Sequence, residues 1–204
     1  MKEPFTDFIK KTLQARTLLI TCGLPASGKT TSAEIVAALK GYRIIRSDLI
    51  RLEAFKDENI FDEKVAASMN NRMLVYDEMF KKADKLAEKG DGFILDATFI
   101  TRALRQRAAG VADRHGLAMV IQETICPEKT CIRRILDRKN KEYESNAVTE
   151  QAYFNNLKKF EPVDLKVLKK HFPDLSVMHL MVDTSSDVAD KWSVIGKTAC
   201  NCSF

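Results

Sequence analysis

Thr17-Leu18-Leu19-Ile20-Thr21-Cys22-Gly23-Leu24-Pro25-Ala26-Ser27-Gly28-Lys29-Thr30-Thr31 is the stretch whose reading decides the fold. Residues 17–22 form an apolar, β-branched run that reads as a buried strand. Residues 23–30 satisfy G-x-x-x-x-G-K-[ST], and a chance match in a chain of this length has a probability of about 1%. The motif leaves a strand and opens a helix over Lys29–Lys40, closed by Gly41, as its mechanism requires. Glycines let the backbone curl so that successive N–H groups point at phosphate oxygens, and the positive end of the helix adds to that field. Lys29 sets a charge against the β- and γ-phosphates, and Thr30 offers a hydroxyl to Mg²⁺ as the metal-side residue. Gly23, Leu24, Pro25, Ala26, Ser27, Gly28, Lys29, Thr30 and Thr31 are therefore the expected ATP-binding residues, with ATP and Mg²⁺ as cofactors.

Outward from this loop, short β-rich runs alternate with long helical stretches. Strands are expected at Tyr42–Arg46, Phe93–Asp96, Leu117–Ile125 and, as an edge strand, Val177–Val182. Between and around them, helices are expected near 5–15 and over Asp62–Lys89, Thr101–His115, Glu128–Lys139, Thr149–Lys159 and Asp164–His171. A last helix is expected near Asp187–Lys197, with Trp192 packing it, and the tail beyond Pro173 carries no functional signal. Strands separated by helices argue for an α/β fold of P-loop NTPase type, with a parallel five-stranded sheet and helices on both faces. A helical lid is expected over about 133–150, containing the polar loop Lys141–Ala147. No linker or composition break divides residues 1–204, so one domain is expected.

Composition narrows the function classes. The 204 residues are 45% hydrophobic and 30% charged, which excludes wholesale disorder. No apolar run approaches the ~20 residues of a membrane-spanning helix, and residues 1–4 open no secretory signal. A cytoplasmic protein without membrane attachment is expected. A net charge of +5 suits an anionic ligand without requiring nucleic acid. Five cysteines (Cys22, Cys126, Cys131, Cys200, Cys202) are expected as reduced thiols, and Cys200-Asn201-Cys202 lacks a second ligand pair for a metal.

The remaining site residues must come from the carboxyl ends of neighbouring strands. Arg46-Ser47-Asp48-Leu49-Ile50-Arg51 ends the second strand. Asp48 suits a base toward an acceptor hydroxyl, and Arg51 an anchor for the acceptor's anionic group. The same residues also suit a helix cap and a solvated arginine. Asp96-Ala97-Thr98 ends the third strand, where an acid can orient a metal-bound water or touch the acceptor. No Glu follows Asp96, which weakens a motor reading. Arg134 and Arg138 share one helical face, suited to a lid that closes over the transferred group. Arg133 belongs to the same basic helix; Arg102, Arg105 and Arg107 are weaker candidates, most of them expected at the surface.

GLPASGKTT, RSDLIR, LDATFITRALRQR and IRRILDRK together resemble the P-loop kinases of the predicted ATPase/kinase group, which includes 5′-hydroxyl polynucleotide kinases and zeta-type toxin kinases. The resemblance spans about residues 17–160. It implies a general base at Asp48, an acceptor-phosphate ligand at Arg51 and lid arginines at Arg134 and Arg138. The family's Asp-Thr element is similar to Asp96-Ala97-Thr98, with Ala97 interposed. The expectation is an ATP-dependent kinase in which Lys29, Asp48 and Arg138 are catalytic, while Arg51, Asp96, Thr98 and Arg134 bind substrate. An anionic small molecule is favoured as acceptor over a polynucleotide 5′ end. The alternative is an NTP-hydrolysing regulatory switch with no phosphoryl acceptor.

Overall fold

A computed structural model describes residues 2–55, 69–138, 147 and 149–200 of the chain. Its elements follow the alternation of the sequence: β1 (Glu3–Pro4), α1 (Phe5–Thr12), β2 (Thr17–Cys22), α2 (Lys29–Lys40), β3 (Arg43–Arg46) and α3 (Ser47–Ala54) come first. Then come α4 (Met69–Ala87), β4 (Phe93–Asp96), α5 (Arg102–Arg114), β5 (Ala118–Ile125) and α6 (Glu128–Arg138). The chain closes with α7 (Glu150–Leu157), α8 (Leu165–His171), β6 (Val177–Asp183), a 3-10 turn (Ala189–Lys191) and β7 (Ser193–Cys200).

Seven strands form one sheet in the order β1-β7-β6-β5-β2-β4-β3. The five expected strands are its parallel part, with β2 at the centre between β4 and β5. Every residue of β2 is buried, and its side chains alternate between two cores. Leu18, Ile20 and Cys22 face α4, α5 and α8, whereas Leu19 faces α1 and α2. Helices thus cover both faces. Local signals account for the helix ends. The Gly41 amide, in the left-handed region at φ 70°, donates to Ala37 O and closes α2. Thr101 accepts from the Leu104 amide and Thr149 from the Ala152 amide, capping α5 and α7.

The carboxyl-terminal segment corrects two expectations. Residues 187–197 form the 3-10 turn and part of β7, not a helix, and β6 is not an edge strand. Pairing decides this: β7 runs antiparallel along β6 from Val177↔Cys200 to Asp183↔Ser193, and β1 then pairs with β7. The exposed edge that β6 presents is satisfied by whatever strand returns to it, and Ser193–Cys200 is the segment that returns. Of the stretch 62–89, residues 69–87 are helical as expected; 56–68 lie outside the described residues, as do 139–146 and 148 of the expected lid. No helix among the described residues is long and apolar enough to cross a membrane.

Candidate active site

Parallel strands all point their carboxyl ends to one rim of the sheet, and the loops there build the site. The loop after β2 is held in a shape that few sequences tolerate. Ala26 and Gly28 both lie in the left-handed region, at φ 59° and 87°. Alternating conformations of this kind turn successive amides inward to form an anion-binding hollow. The non-glycine Ala26 there stores local strain, as functional loops do. At Gly28 a Cβ would lie 2.9 Å from the Trp192 ring, so packing as well as φ demands glycine. Lys29 reaches back across the loop, its Nζ donating to Leu24 O at 2.6 Å. Thr31 lies on the exposed side of the first turn of α2.

Side chains from β5, from the loop after β6 and from the residue before β7 brace this loop. Ser27 Oγ and Thr124 Oγ1, from β5, share a hydrogen bond of 2.6 Å. Thr184, just past β6, donates through Oγ1 to Ser27 O at 2.7 Å. Trp192 lies against Gly28 and is held there through Nε1, which donates to Ser186 O, in the segment after β6, at 2.8 Å. It packs the phosphate loop, not a terminal helix, so the tail does contribute to the site. Sequence reasoning missed Thr184 and Trp192 because neither belongs to a local motif; both act across more than 150 residues.

Asp96 stands at the tip of β4 and is 6% exposed. Thr30 Oγ1 donates to its Oδ2 at 2.8 Å, and Thr21 Oγ1 lies 3.1 Å from Oδ1. Burial pushes the Asp96 carboxyl above the usual carboxylate range, against the pull of Thr30, Lys29 and Thr21; the charge of Asp48 pushes it further up. Asp48 is therefore close enough to Asp96 to be felt electrostatically. A hydroxyl, a buried carboxylate and a further carboxylate make an all-oxygen donor set of the kind that suits Mg²⁺.

Asp48 opens α3, half-buried, and accepts from Arg51 Nη1 at 2.7 Å. The two residues, each expected to face the acceptor, are one helical turn apart and pair with each other. Beyond it lie Tyr76 and Thr98, whose hydroxyls are 3.3 Å apart. Burial raises the Tyr76 hydroxyl, while the Thr98 bond and the charges of Arg72 and Arg51 lower it. Arg72 and Tyr76, both on α4, join the expected Asp48, Arg51 and Thr98 on this side of the site. Sequence reasoning missed both, since an arginine and a tyrosine in a helix carry no signature.

The basic residues separate into distinct roles. Arg134, expected in a closing lid, is pinned: it donates to Asp187, Thr184 O, Ser186 O and Ala26 O, and to Cys126 Sγ. Arg138 ends α6, and its backbone alone is described. Arg105 is buried and bonds to three backbone carbonyls, Phe99, Glu161 and Pro162, so it fastens loops together and is not at the surface. Arg107 pairs with Asp77 at 2.7 Å and covers the Phe80 ring; Arg102 is exposed.

The profile of a family described as AAA domain matches residues 18–163, from β2 to the segment before α8. This chain belongs to the AAA domain family. The matched stretch includes the phosphate loop, Asp48, Asp96 and the basic helix α6, and the P-loop kinase group expected from the motifs agrees with it. Two solved structures share the fold of this AAA domain. A gluconokinase from Sinorhizobium meliloti 1021 superposes with a TM-score of 0.61 at 17% identity, over 87% of this chain and 88% of that one. A sugar kinase from Janibacter sp. HTCC2649 gives 0.58 at 19% identity, over 84% and 86%. No curated protein matches the sequence.

Proposed function

We propose that this AAA-domain chain is an ATP- and Mg²⁺-dependent kinase that moves the γ-phosphate to a hydroxyl of an anionic acceptor. One observation carries the reading: buried Asp96 holds the phosphate-loop hydroxyl of Thr30 and feels the charge of Asp48, a carboxylate bonded to Arg51. The fold shared with the gluconokinase and sugar kinase structures supports phosphoryl transfer, though at such identities it does not choose the acceptor.

The phosphate loop amides and Lys29 hold the triphosphate. Thr30 and Asp96 would hold Mg²⁺, which when bound neutralises charge on the β- and γ-phosphate oxygens. Arg134 forms a fixed wall on the far side of the loop, beside Ala26. Asp48 takes the proton of the acceptor hydroxyl and orients its lone pair toward the phosphorus. Arg51 and Arg72, whose charges both act on Tyr76, bind the acceptor's own anionic group. Arg138, at the end of α6, closes over the transferred group.

The test uses γ-labelled ATP with a panel of acceptors: sugars, phosphorylated sugars, nucleosides and 5′-hydroxyl oligonucleotides. Label on a small anionic alcohol supports this reading. Label on the oligonucleotide alone would replace the acceptor class, and label released only as free phosphate across the whole panel would replace the kinase with a hydrolytic switch.

A further inference from the structure

Cys126 opens the short loop after β5, and Cys131 sits on the first turn of α6, five residues on. The Cys131 amide donates to Pro127 O at 3.0 Å, a helical turn that carries its thiol back beneath Cys126. Its Sγ donates to Cys126 O at 3.9 Å, and Cys126 packs against the buried cluster that holds Cys131. Their surroundings are unequal. Cys126 is half-buried and accepts from Arg134 Nη1 at 3.4 Å. Cys131 is buried with Ala26, Ile135 and Tyr153, and Leu24 packs on that cluster. A half-buried thiol beside a guanidinium, with a buried second thiol packed one helical turn away, is the arrangement of a redox-active pair.

We propose that Cys126 and Cys131 form a peroxide-oxidisable dithiol whose disulfide loosens the phosphate loop. The Cys131 side chain and the Arg134 charge hold the Cys126 thiol below its ordinary range, while the Cys126 side chain and burial push Cys131 up. Cys126 is therefore the attacking thiolate and Cys131 the resolving thiol. With hydrogen peroxide, the Cys126 sulfur forms an S–O bond as the O–O bond breaks, and the departing hydroxide is protonated to water. The Cys131 sulfur then attacks the Cys126 sulfur: an S–S bond forms, the S–O bond breaks, and the Cys131 proton leaves with the second water. Two thiols are oxidised and one peroxide is reduced.

The disulfide acts on the loop from two sides. Cys126 sulfur ceases to hold Arg134, whose Nη1 also donates to Ala26 O, and Cys131 is drawn from its packing against Ala26. Cys22 is no competitor, since burial pushes its thiol up to about 12.

The experiment treats the full chain with hydrogen peroxide and reads mass and amide exchange, neither of which depends on nucleotide binding or on a phosphoryl acceptor. The expected result is a mass lower by about 2 Da. Trypsin cuts at Lys129, between the two cysteines, so the linkage appears as two joined peptides that dithiothreitol separates. Exchange over residues 23–30 rises by about tenfold, the shift in loop opening for one net hydrogen bond lost. Dithiothreitol reverses it. Cys131→Ser halts at a Cys126 sulfenic acid that dimedone captures, and Cys126→Ser gives neither linkage nor faster exchange. Absence of the linkage in the wild-type chain, or a linkage that leaves exchange over 23–30 unchanged, overturns the proposal.

Discussion

Two carboxylates a short distance apart have opposite relations to the fold. Asp48 is half-exposed and salt-bridged, so replacing it leaves the architecture alone. Asp48→Asn is expected to lower the rate of phosphoryl transfer by about 10²–10⁴, the usual worth of a general base, with ATP affinity changed less than about threefold. Steady-state kinetics with equilibrium ATP binding checks both halves. Asp96 is buried, and its acidity is weakened mainly by that burial. Folding thus favours its protonated form. Between the ordinary carboxylate range and the raised folded value, the unfolded chain binds fewer protons than the native one, so stability falls as pH rises through that window. Asp96→Asn removes this dependence. At neutral pH it is expected to raise the thermal midpoint by about 2–4 °C, equivalent to ~1 kcal/mol, while Mg²⁺-dependent turnover is lost. Melting curves across pH 4–8 decide it: a wild-type and an Asn variant with parallel pH profiles would contradict the assignment. At this scale the sequence was legible where the chemistry is local. Lys29, Thr30 and Asp96 lie where the motif implied, and the Asp48–Arg51 contact follows from one helical turn. Arg134 was misread because its fate depends on a loop about 50 residues downstream, which turns a basic residue on an amphipathic helix into a fixed strut.

Elements with both ends marked were readable and elements defined by partners were not. β2 and α2 carry their boundaries in Thr17–Cys22, Gly23, Lys29 and Gly41, and they occur where those signals put them. β7 is set by pairing with β6, and a bulge between Met181 and Val182 shifts its register, so nothing within Ser193–Cys200 announces it. The phosphate loop likewise depends on a residue outside its own motif. Trp192, 5% exposed, fills the space that Gly28 leaves and belongs to the core beneath α1 and α2. Trp192→Ala is expected to destabilise the chain by about 3–5 kcal/mol through the cavity it opens. It should also weaken ATP binding more than an equally destabilising change elsewhere in that core, such as Phe8→Ala, which does not meet Gly28. Urea unfolding followed by circular dichroism, with calorimetric ATP titration, measures the two effects separately.

The whole molecule is a parallel sheet of order β6-β5-β2-β4-β3, onto which the terminal segments graft two further strands. The alternation of strand and helix made the parallel part legible, because each βαβ unit is written contiguously. The graft was not, because it joins residues 3–4 to residues 193–194. The family match stops at residue 163, before β6, yet Thr184 and Trp192 beyond it hold the loop that the family is built around. A chain ending at Val188 would leave β6 with an unpaired edge and strip β1 of its partner. Such a chain is expected to elute as aggregate in size-exclusion chromatography, whereas a chain ending at Cys200 stays in the position of the full-length protein.

Trp192 is the single tryptophan of the 204 residues, and its ring rests on the glycine that opens α2. Nature has thereby placed an intrinsic fluorophore at the mouth of the binding loop, with no second indole to dilute its emission. Excitation near 295 nm during an ATP titration should give a saturable change in intensity or wavelength. The same titration of Lys29→Ala should stay flat.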